Sequence, residues 1–268
     1  MDNFADARDY KILEQDKYTF SVLGRIIGGE CALLLTDHAR LIVCFSRKPF
    51  PVWIWTSDDV TGAEKERAYE TVRENGLLTA GHSFNMKYDL ADYFIKRASE
   101  KSLNLSITTN MLAYDCPSPA EPHIKSDGRL HRCTADDIDE LVDFQTFFHQ
   151  ETGIDKESRD AYRQKSEEAV RRGSLFFWQN ADGKNVSCCS CNLRPGGGMA
   201  SIGLVYTRAE FRRQHYAENL VYQVSKMAND AGYTPMLYTD ADYTASNACY
   251  QKIGYVLRGR LCTVGKKD

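Results

Sequence analysis

Apolar and polar positions over the first 115 residues predict a mixed α+β unit. Short runs rich in β-branched and aromatic residues, bounded by turn formers, are typical of strands. They occur here in CALLLTD, RLIVCFSR, PVWIWTS and NLSITTNMLAY. The charged stretch at 63–76 ends at Gly76 and predicts a helix, and residues 88–102 predict a second helix.

Residues 113–129 interrupt this periodicity with three prolines and a glycine among polar residues. A chain of 268 residues also exceeds the usual size of a single domain. The sequence therefore predicts a domain at 1–115, a linker at 116–128 and a second domain at 129–268.

The second domain is predicted to open with a short strand at 130–134, followed by helices at 134–153 and 155–173. Thr134 and Asp137 have the spacing of a capping box at the start of the first helix. Three antiparallel strands follow, because NADG is a hairpin signal and the glycine turn PGGG precedes the run MASIGLVYT.

A long amphipathic helix with a basic start comes next. Apolar residues recur at helical spacing through 217–231, so one face is predicted to be core. The first N–H groups of a helix lack intrahelical partners, and together with the helix dipole they favour an anion. Arginine forks suit phosphate oxygens, so Arg212 and Arg213 at this end indicate a pyrophosphate cradle. The alternative is that two exposed arginines merely flank a helix start.

Gly203, inside the strand before this turn, favours a bulge or a close approach by a ligand. After the long helix, the pattern predicts a strand at 234–241, a short helix at 246–254 closed by Gly254, and a final strand at 256–264.

Composition narrows the expected partners. Hydrophobic residues make up 43% and charged residues 26%, which is an ordinary globular balance. A net charge of -3 with a pI near 6.1 argues against nucleic acid or a membrane surface, so small molecules are expected. No signal peptide or apolar run of transmembrane length is present, which predicts a cytoplasmic protein.

The nine cysteines are scattered apart from the cluster CCSC at 188–191. No second pair or histidine lies at ligand spacing, so buried reduced thiols are predicted rather than zinc, and no metal is expected.

About residues 128–268 resemble the GNAT superfamily of acyl-CoA-dependent N-acyltransferases. IGLVYT, RRQHYA, LYTDA and NACYQKIGY carry this resemblance by their order and spacing. The resemblance implies an α+β fold with a mixed, mostly antiparallel twisted sheet flanked by helices. In that family the fourth strand diverges from the fifth, and the gap holds the acetyl-pantetheine arm of acetyl-CoA.

The resemblance also implies which residues bind acetyl-CoA. Backbone groups of Val205 and Thr207 would pair with the pantetheine amides, and the pyrophosphate loop of the family falls on Arg212 to Ala217. The implied positions are Val205, Tyr206, Thr207, Arg212, Arg213, Gln214, His215, Tyr216, Ala217, Ser246 and Asn247.

Two positions depart from the family pattern. His215 stands where the loop usually has glycine, and Tyr243 stands where an asparagine often lies seven residues before the helix tyrosine. A side chain at position 215 avoids a clash if its φ is negative, but it narrows the phosphate pocket. His215 is alternatively a cationic donor to phosphate at mildly acidic pH, or a surface histidine with neither role.

Tyr250 matches the family tyrosine near the CoA sulfur, where a phenol can act as general acid to the departing thiolate; the alternative is a packing aromatic. The general base is open, with Asp240 acting through water as one candidate and as a loop cap in the other interpretation. The loop between the first two helices places His149 and Glu151 where an acceptor amine would bind, or simply at the surface.

The expected function is therefore an N-acetyltransferase that transfers acetyl from acetyl-CoA to a small-molecule or peptide amine by direct attack in a ternary complex. The alternatives are a catalytically inactive CoA-binding or regulatory module of the same fold, and a binding protein for another phosphorylated ligand. No site is recognised in the N-terminal domain, which is expected to cover the acceptor groove or to pair subunits as a homodimer.

Overall fold

A computed structural model describes residues 1–153 and 157–266 of the protein. The Cα positions divide the chain into two compact units. Unit 1 contains residues 1–114, 239–243 and the chain from 257 onward, and unit 2 contains residues 115–238 and 244–256.

Unit 1 has α+β architecture. Its elements are α1 (Ala7–Leu13), α2 (Ser21–Ile27), β1 (Leu33–Thr36), β2 (Leu41–Phe45), β3 (Val52–Thr56), α3 (Gly62–Glu74), β4 (Phe84–Met86), α4 (Tyr88–Ser99), β5 (Leu105–Asp115) and the last strand of the chain, β11 (Val256–Lys266). The strand order is β1-β2-β3-β4-β11-β5. Ile54, Phe84 and Phe94 are fully buried in its core, which joins α3 and α4 to these strands.

Unit 2 contains the helices and strands that the sequence predicts for the second domain. Its elements are β6 (Arg129–Arg132), α5 (Ile138–Thr152), α6 (Arg159–Arg171), β7 (Leu175–Gln179), β8 (Asn185–Arg194), β9 (Met199–Thr207), α7 (Tyr216–Asp230), β10 (Thr234–Asp240) and α8 (Thr244–Lys252). The strand order is β10-β9-β8-β7-β6, antiparallel from β6 to β9 and parallel between β9 and β10. The predicted mixed, mostly antiparallel sheet is confirmed.

Local signals in the sequence account for the ends of several elements. Thr134 and Asp137 form the predicted capping box just before α5. Gly153 adopts a left-handed conformation at the end of α5, as the helix end requires. The helix predicted from residue 155 begins at Arg159, capped by the Ser158 side chain; Asp155 and Lys156 lie outside the described residues.

The division into units differs in two ways from the predicted domain boundaries. The segment 116–128 belongs to unit 2, where the Cys116 N–H donates to the Pro235 carbonyl and the Ala120 N–H to the Ile253 carbonyl. The strand β11 belongs from residue 257 onward to unit 1, because it pairs with β4. The sequence pattern places both segments correctly as loop and strand, but carries no signal for their long-range partners.

All nine cysteines are free thiols, and seven of them are buried, including the three of the CCSC cluster. No helix within the described residues is long and apolar enough to cross a membrane.

Candidate active site

The strands β9 and β10 pair over only a short stretch. Three parallel pairs join Met199–Ser201 to Thr234–Met236, and within the described residues the ladder between these strands goes no further. The backbone of β9 after Ser201 is therefore free of β10 on that side. A gap between two parallel strands presents unpaired N–H and C=O groups, which a ligand with amide groups can bind.

A β-bulge lies beside this gap. Cys188 pairs with Tyr206 and Ser190 pairs with Gly203, so that Leu204 and Val205 together oppose Cys189. Leu204 has φ 49°, a left-handed conformation that is unusual for a branched side chain. The sequence predicts a bulge at Gly203; the structure has it at the following residue, and Gly203 itself stays in the ladder.

The turn between β9 and α7 contains two further left-handed residues, Arg213 with φ 60° and His215 with φ 63°. Neither is glycine, and the left-handed conformation costs a non-glycine residue about 1–2 kcal/mol. Position 215 thus has a left-handed conformation, which glycine adopts easily, and not the negative φ at which a histidine side chain is expected to avoid a clash. The chain therefore enters the first turn of α7 through a left-handed residue that carries a side chain.

Arg212 is held by a carboxylate. Its Nη2 lies 2.6 Å from Glu151 Oε2, and its Nε donates to the Thr207 carbonyl at 3.0 Å. The same Glu151 accepts a hydrogen bond from the Tyr206 phenol at 2.8 Å. Burial, and then this hydrogen bond, raises the pKa of Tyr206 to about 12, so its phenol stays protonated.

Arg213 is exposed, and within the described residues no acidic side chain pairs with it. The two arginines that the sequence predicts as a pair therefore differ. Arg212 already has a carboxylate partner, whereas the guanidinium of Arg213 remains available to an anion at the start of α7.

His215 precedes α7 and contacts its first turn. Its Nδ1 lies 3.2 Å from Glu218 Oε2, and the Glu218 side chain is buried. Its carbonyl accepts a hydrogen bond from Asn219 Nδ2 at 3.0 Å. Among the other predicted loop residues, Gln214 is exposed, Ala217 is partly exposed, and Tyr216 is buried.

Tyr250 lies on α8 and is buried, with 6% of its surface exposed. Its ring packs against Tyr255 with centroids 5.7 Å apart, and the Tyr255 phenol lies 2.7 Å from the Ser225 hydroxyl of α7. On the same helix, Asn247 is buried and Ser246 is partly exposed. Packing therefore fixes the orientation of the Tyr250 ring, which both predicted roles require.

Asp240 caps a turn. Its Oδ1 accepts a hydrogen bond from the Asp242 N–H at 2.9 Å, and residues 239–243 belong to unit 1. This contact is the loop cap that the sequence offers as one of two interpretations. Tyr243, in the same segment, is 57% exposed.

A cavity of about 310 Å³ opens beside the bulge, between α5, α6 and the strands β8 and β9. Its walls include Leu204 of the bulge, Ser190 of β8 and His149 of α5. The His149 ring stacks on Tyr162 at 5.1 Å, with planes 5° apart. Of the two residues predicted for an acceptor, His149 thus lines a cavity next to the bulge, while Glu151 is bound to Arg212 and Tyr206.

Some polar residues around the turn have no sequence signal. Ser126 donates to the Gln214 carbonyl at 2.8 Å, and Asp127 accepts from the Tyr216 phenol at 2.7 Å. Both lie in the segment predicted as a linker, where serine and aspartate are ordinary turn formers.

Unit 1 contains a separate polar cluster. His38, with φ 58°, has its Nδ1 2.7 Å from Asp9 Oδ2 and its Nε2 3.0 Å from Asp2 Oδ2. Asp9 is fully buried and also accepts hydrogen bonds from the Thr36 hydroxyl at 2.5 Å and the Asp6 N–H at 2.9 Å. Asp6, Asp9 and His38 have potential metal-ligand atoms within 4.8 Å of one another, but the hydrogen bonds already satisfy them.

The sequence model of the acetyltransferase (GNAT) family matches residues 138–255. A search of the curated proteins finds no match.

Solved structures share the fold at low sequence identity. A GCN5-related N-acetyltransferase from Sphaerobacter thermophilus is 14% identical, with a TM-score of 0.65 over 92% of this chain and 84% of that one. An acetyltransferase of the GNAT family from Colwellia psychrerythraea is 13% identical, with a TM-score of 0.61 over 99% of both chains. A GCN5-related N-acetyltransferase from Kribbella flavida is 13% identical, with a TM-score of 0.60 over 98% and 97%. Residues 138–255 therefore match the acetyltransferase (GNAT) family, and the chain shares its fold with solved structures that carry that description.

Proposed function

We propose that the protein is an N-acyltransferase that transfers acetyl from acetyl-CoA to the amine of a small molecule or peptide, by direct attack in a ternary complex. The observation that supports this proposal most strongly is that β9 separates from β10 beside a bulge. A loop with left-handed residues follows at the start of α7. This combination offers backbone groups to an amide-bearing arm and N–H groups to a diphosphate.

The residues present fit acetyl-CoA as the acyl donor. Val205 lies in the bulge, and Thr207 ends the stretch of β9 that lacks β10 as a partner, so their backbone groups are the ones to bind the pantetheine amides. The loop at 212–217 would bind the pyrophosphate through its N–H groups and Arg213. Ser246 and Asn247 would contact the donor from α8.

Acetyl-CoA supplies an activated thioester, and the protein supplies orientation and proton transfer. Tyr250 is the proposed general acid to the departing thiolate, because α8 and Tyr255 hold its ring in one position. Asp240 Oδ1 is engaged as a turn cap, and we assign no general base to this residue.

Direct attack is favoured over a cysteine acyl-enzyme by the state of the nearby thiols. Burial, and then the charge of Glu218, raises the pKa of Cys249 to about 12. Burial also raises the pKa of Cys188, whose thiol donates to the Leu204 carbonyl of the bulge. A thiol protonated at neutral pH is a poor nucleophile.

The cavity lined by His149 and Leu204 is the proposed acceptor pocket. Its volume of about 310 Å³ is at the small end of ligand sites, which favours a small amine or a single residue of a peptide. Gln145, Ser174 and Asn192 also line it and offer neutral hydrogen-bonding groups.

Calorimetric titration of the protein with acetyl-CoA, followed by thiol-release assays on an amine panel, tests the proposal. Micromolar binding and acceptor-dependent thiol release are expected. Tyr250→Phe is then expected to lower kcat by roughly ten- to ten-thousand-fold while the acetyl-CoA Kd changes little. Binding without thiol release on any amine would favour an inactive CoA-binding module, and no binding at millimolar acetyl-CoA would overturn the proposal.

The two arginines provide a finer test of the pyrophosphate site. Because Glu151 holds Arg212, Arg213→Ala is expected to weaken acetyl-CoA binding more than Arg212→Ala does. The reverse order would mean that Glu151 releases Arg212 when the donor binds. Equal and unchanged affinities in both variants would remove the loop from the binding site.

A further inference from the structure

A four-residue segment, which Gly128 joins to β6, contacts the turn at the start of α7. This segment, residues 124–127, is called the strap. Ser126 Oγ donates to the Gln214 carbonyl at 2.8 Å, and the Tyr216 phenol donates to Asp127 Oδ1 at 2.7 Å. The strap precedes residue 138, so it lies outside the part of the chain that matches the family.

A third hydrogen-bonded link between the strap and the turn is made by the buried side-chain amide of Asn219. Asn219 Nδ2 lies 2.9 Å from the Ile124 carbonyl and 3.0 Å from the His215 carbonyl, and only 6% of Asn219 is exposed. One side chain of α7 therefore links the strap directly to the left-handed residue at position 215.

The strap is itself fixed at its far end. The Trp178 indole donates to the Asp127 carbonyl at 2.7 Å, and the Ala181 N–H donates to Asp127 Oδ2 at 2.9 Å. Gly128 follows with φ 97°, where an added Cβ would lie 1.9 Å from the Gln179 carbonyl oxygen. This close approach is open only to glycine, so the strap ends against β7 and the β7–β8 hairpin.

The contacted carbonyls show what the strap does. Gln214 lies between the two left-handed residues, and His215 is the second of them. The direction of each carbonyl depends on the backbone angles at and beside these residues. The hydrogen bonds to both carbonyls are made with the loop in its left-handed course, so they stabilise that course.

We propose that the strap is a positioning element for the cofactor loop, and that Ser126, Asp127 and Asn219 hold Arg213 and His215 in the conformation that glycine adopts without help. This role rests on the proposed binding of acetyl-CoA. It accounts for a loop that keeps its backbone course although histidine stands at the glycine position.

The test removes the hydrogen bonds between the strap and the turn one at a time. Ser126→Ala deletes the donor to Gln214, and Tyr216→Phe deletes the donor to Asp127 with little change in volume. Each is expected to weaken acetyl-CoA binding by about three- to ten-fold, the range for one hydrogen bond. Ser99→Ala is the matched control, because Ser99 donates to the Lys96 carbonyl in unit 1 at 2.7 Å, away from the loop.

Two readouts separate positioning from general destabilisation. S-acetylpantetheine lacks the pyrophosphate, so its affinity, measured by competition, is expected to stay constant in Ser126→Ala. His215→Gly is expected to rescue the defect in part, because glycine reaches φ > 0 without the strap. Ser126→Ala should then reduce acetyl-CoA affinity less in the His215→Gly background than in the wild-type background.

The outcomes distinguish this proposal from the proposed function. If wild type does not bind acetyl-CoA, the proposed function fails, and the strap's role in binding falls with it. If wild type binds but Ser126→Ala and Tyr216→Phe both bind normally, the strap alone is refuted. It is also refuted if Ser126→Ala lowers the affinity for S-acetylpantetheine as much as the affinity for acetyl-CoA. A third refuting outcome is that His215→Gly restores no acetyl-CoA affinity in variants whose unfolding temperature matches wild type.

Discussion

Two histidines of this chain, one in each unit, share an unusual backbone conformation but differ in how far their rings are enclosed. His38 and His215 have φ of 58° and 63°, and each has its Nδ1 beside a buried carboxylate, Asp9 at 2.7 Å and Glu218 at 3.2 Å. Left-handed residues other than glycine persist only where their surroundings fix them.

The two imidazole rings differ in how much of each remains accessible to solvent or to a ligand. The His38 side chain is 3% exposed, and Asp2 closes its second nitrogen. The His215 side chain is 32% exposed, and within the described residues its Nε2 has no hydrogen-bond partner. A closed cluster serves the stability of unit 1, whereas an open ring at the start of a helix leaves a nitrogen available to a ligand.

The largest expected effect comes from removing the buried carboxylate of the closed cluster. Asp9→Ala leaves the Thr36 hydroxyl and the His38 ring without their acceptor in the interior. We expect the free energy of unfolding to fall by about 3 kcal/mol, measured by urea titration. Lys11→Ala, on the same helix, provides a control for changes in helix content. Wild-type stability of the Asp9 variant would show that the cluster is not structural.

The same substitution at both histidines sharpens the comparison. His38→Gly relieves backbone strain but empties the cluster, so the unfolding temperature is expected to fall by several degrees. His215→Gly relieves the same strain and loses one partly exposed contact, so stability is expected to change by no more than about 1 kcal/mol. Equal losses in thermal unfolding of the two variants would contradict the division into closed and open sites.

The smallest expected effect is a dependence on pH. Burial opposes the charged form of His38, but the hydrogen bonds to Asp9 and then Asp2 outweigh it and raise the pKa above its usual value of 6.5. The stabilisation by His38 is therefore fully present below about 6.5 and is lost as pH rises through the raised pKa. Unfolding temperatures of wild type and His38→Gln, measured from pH 5.5 to 9, should converge towards the alkaline end. If the difference in unfolding temperature between the two proteins grew as pH rises, the pKa of His38 would be lowered and not raised.

Much of unit 2 follows from its sequence, because the signals are local. The capping box at Thr134, the hairpin at NADG and the amphipathic pattern of α7 each depend on residues that are close together in the sequence. The bulge is predicted one residue early, since Gly203 signals irregularity but its register is set by pairing with Ser190.

Long-range partners account for what the sequence does not predict. The sequence around Arg212 does not predict its contact with Glu151, 61 residues away. The sequence around Gln214 likewise does not predict its contact with Ser126. In unit 1 the helices α1 and α2 have seven residues each, too short for a periodic pattern, and the cluster around His38 joins side chains 29 and 36 positions apart.

The position of β11 has a consequence for synthesis. Thr263 on this strand bonds to Asn85 on β4, 178 residues earlier, and β11 lies between β4 and β5 in the strand order of unit 1. As the chain leaves the ribosome, the sheet of unit 1 lacks an inner strand until the whole of unit 2 has been translated. Unit 2 can complete its own strands first, so the part of the protein made first is the last to finish folding.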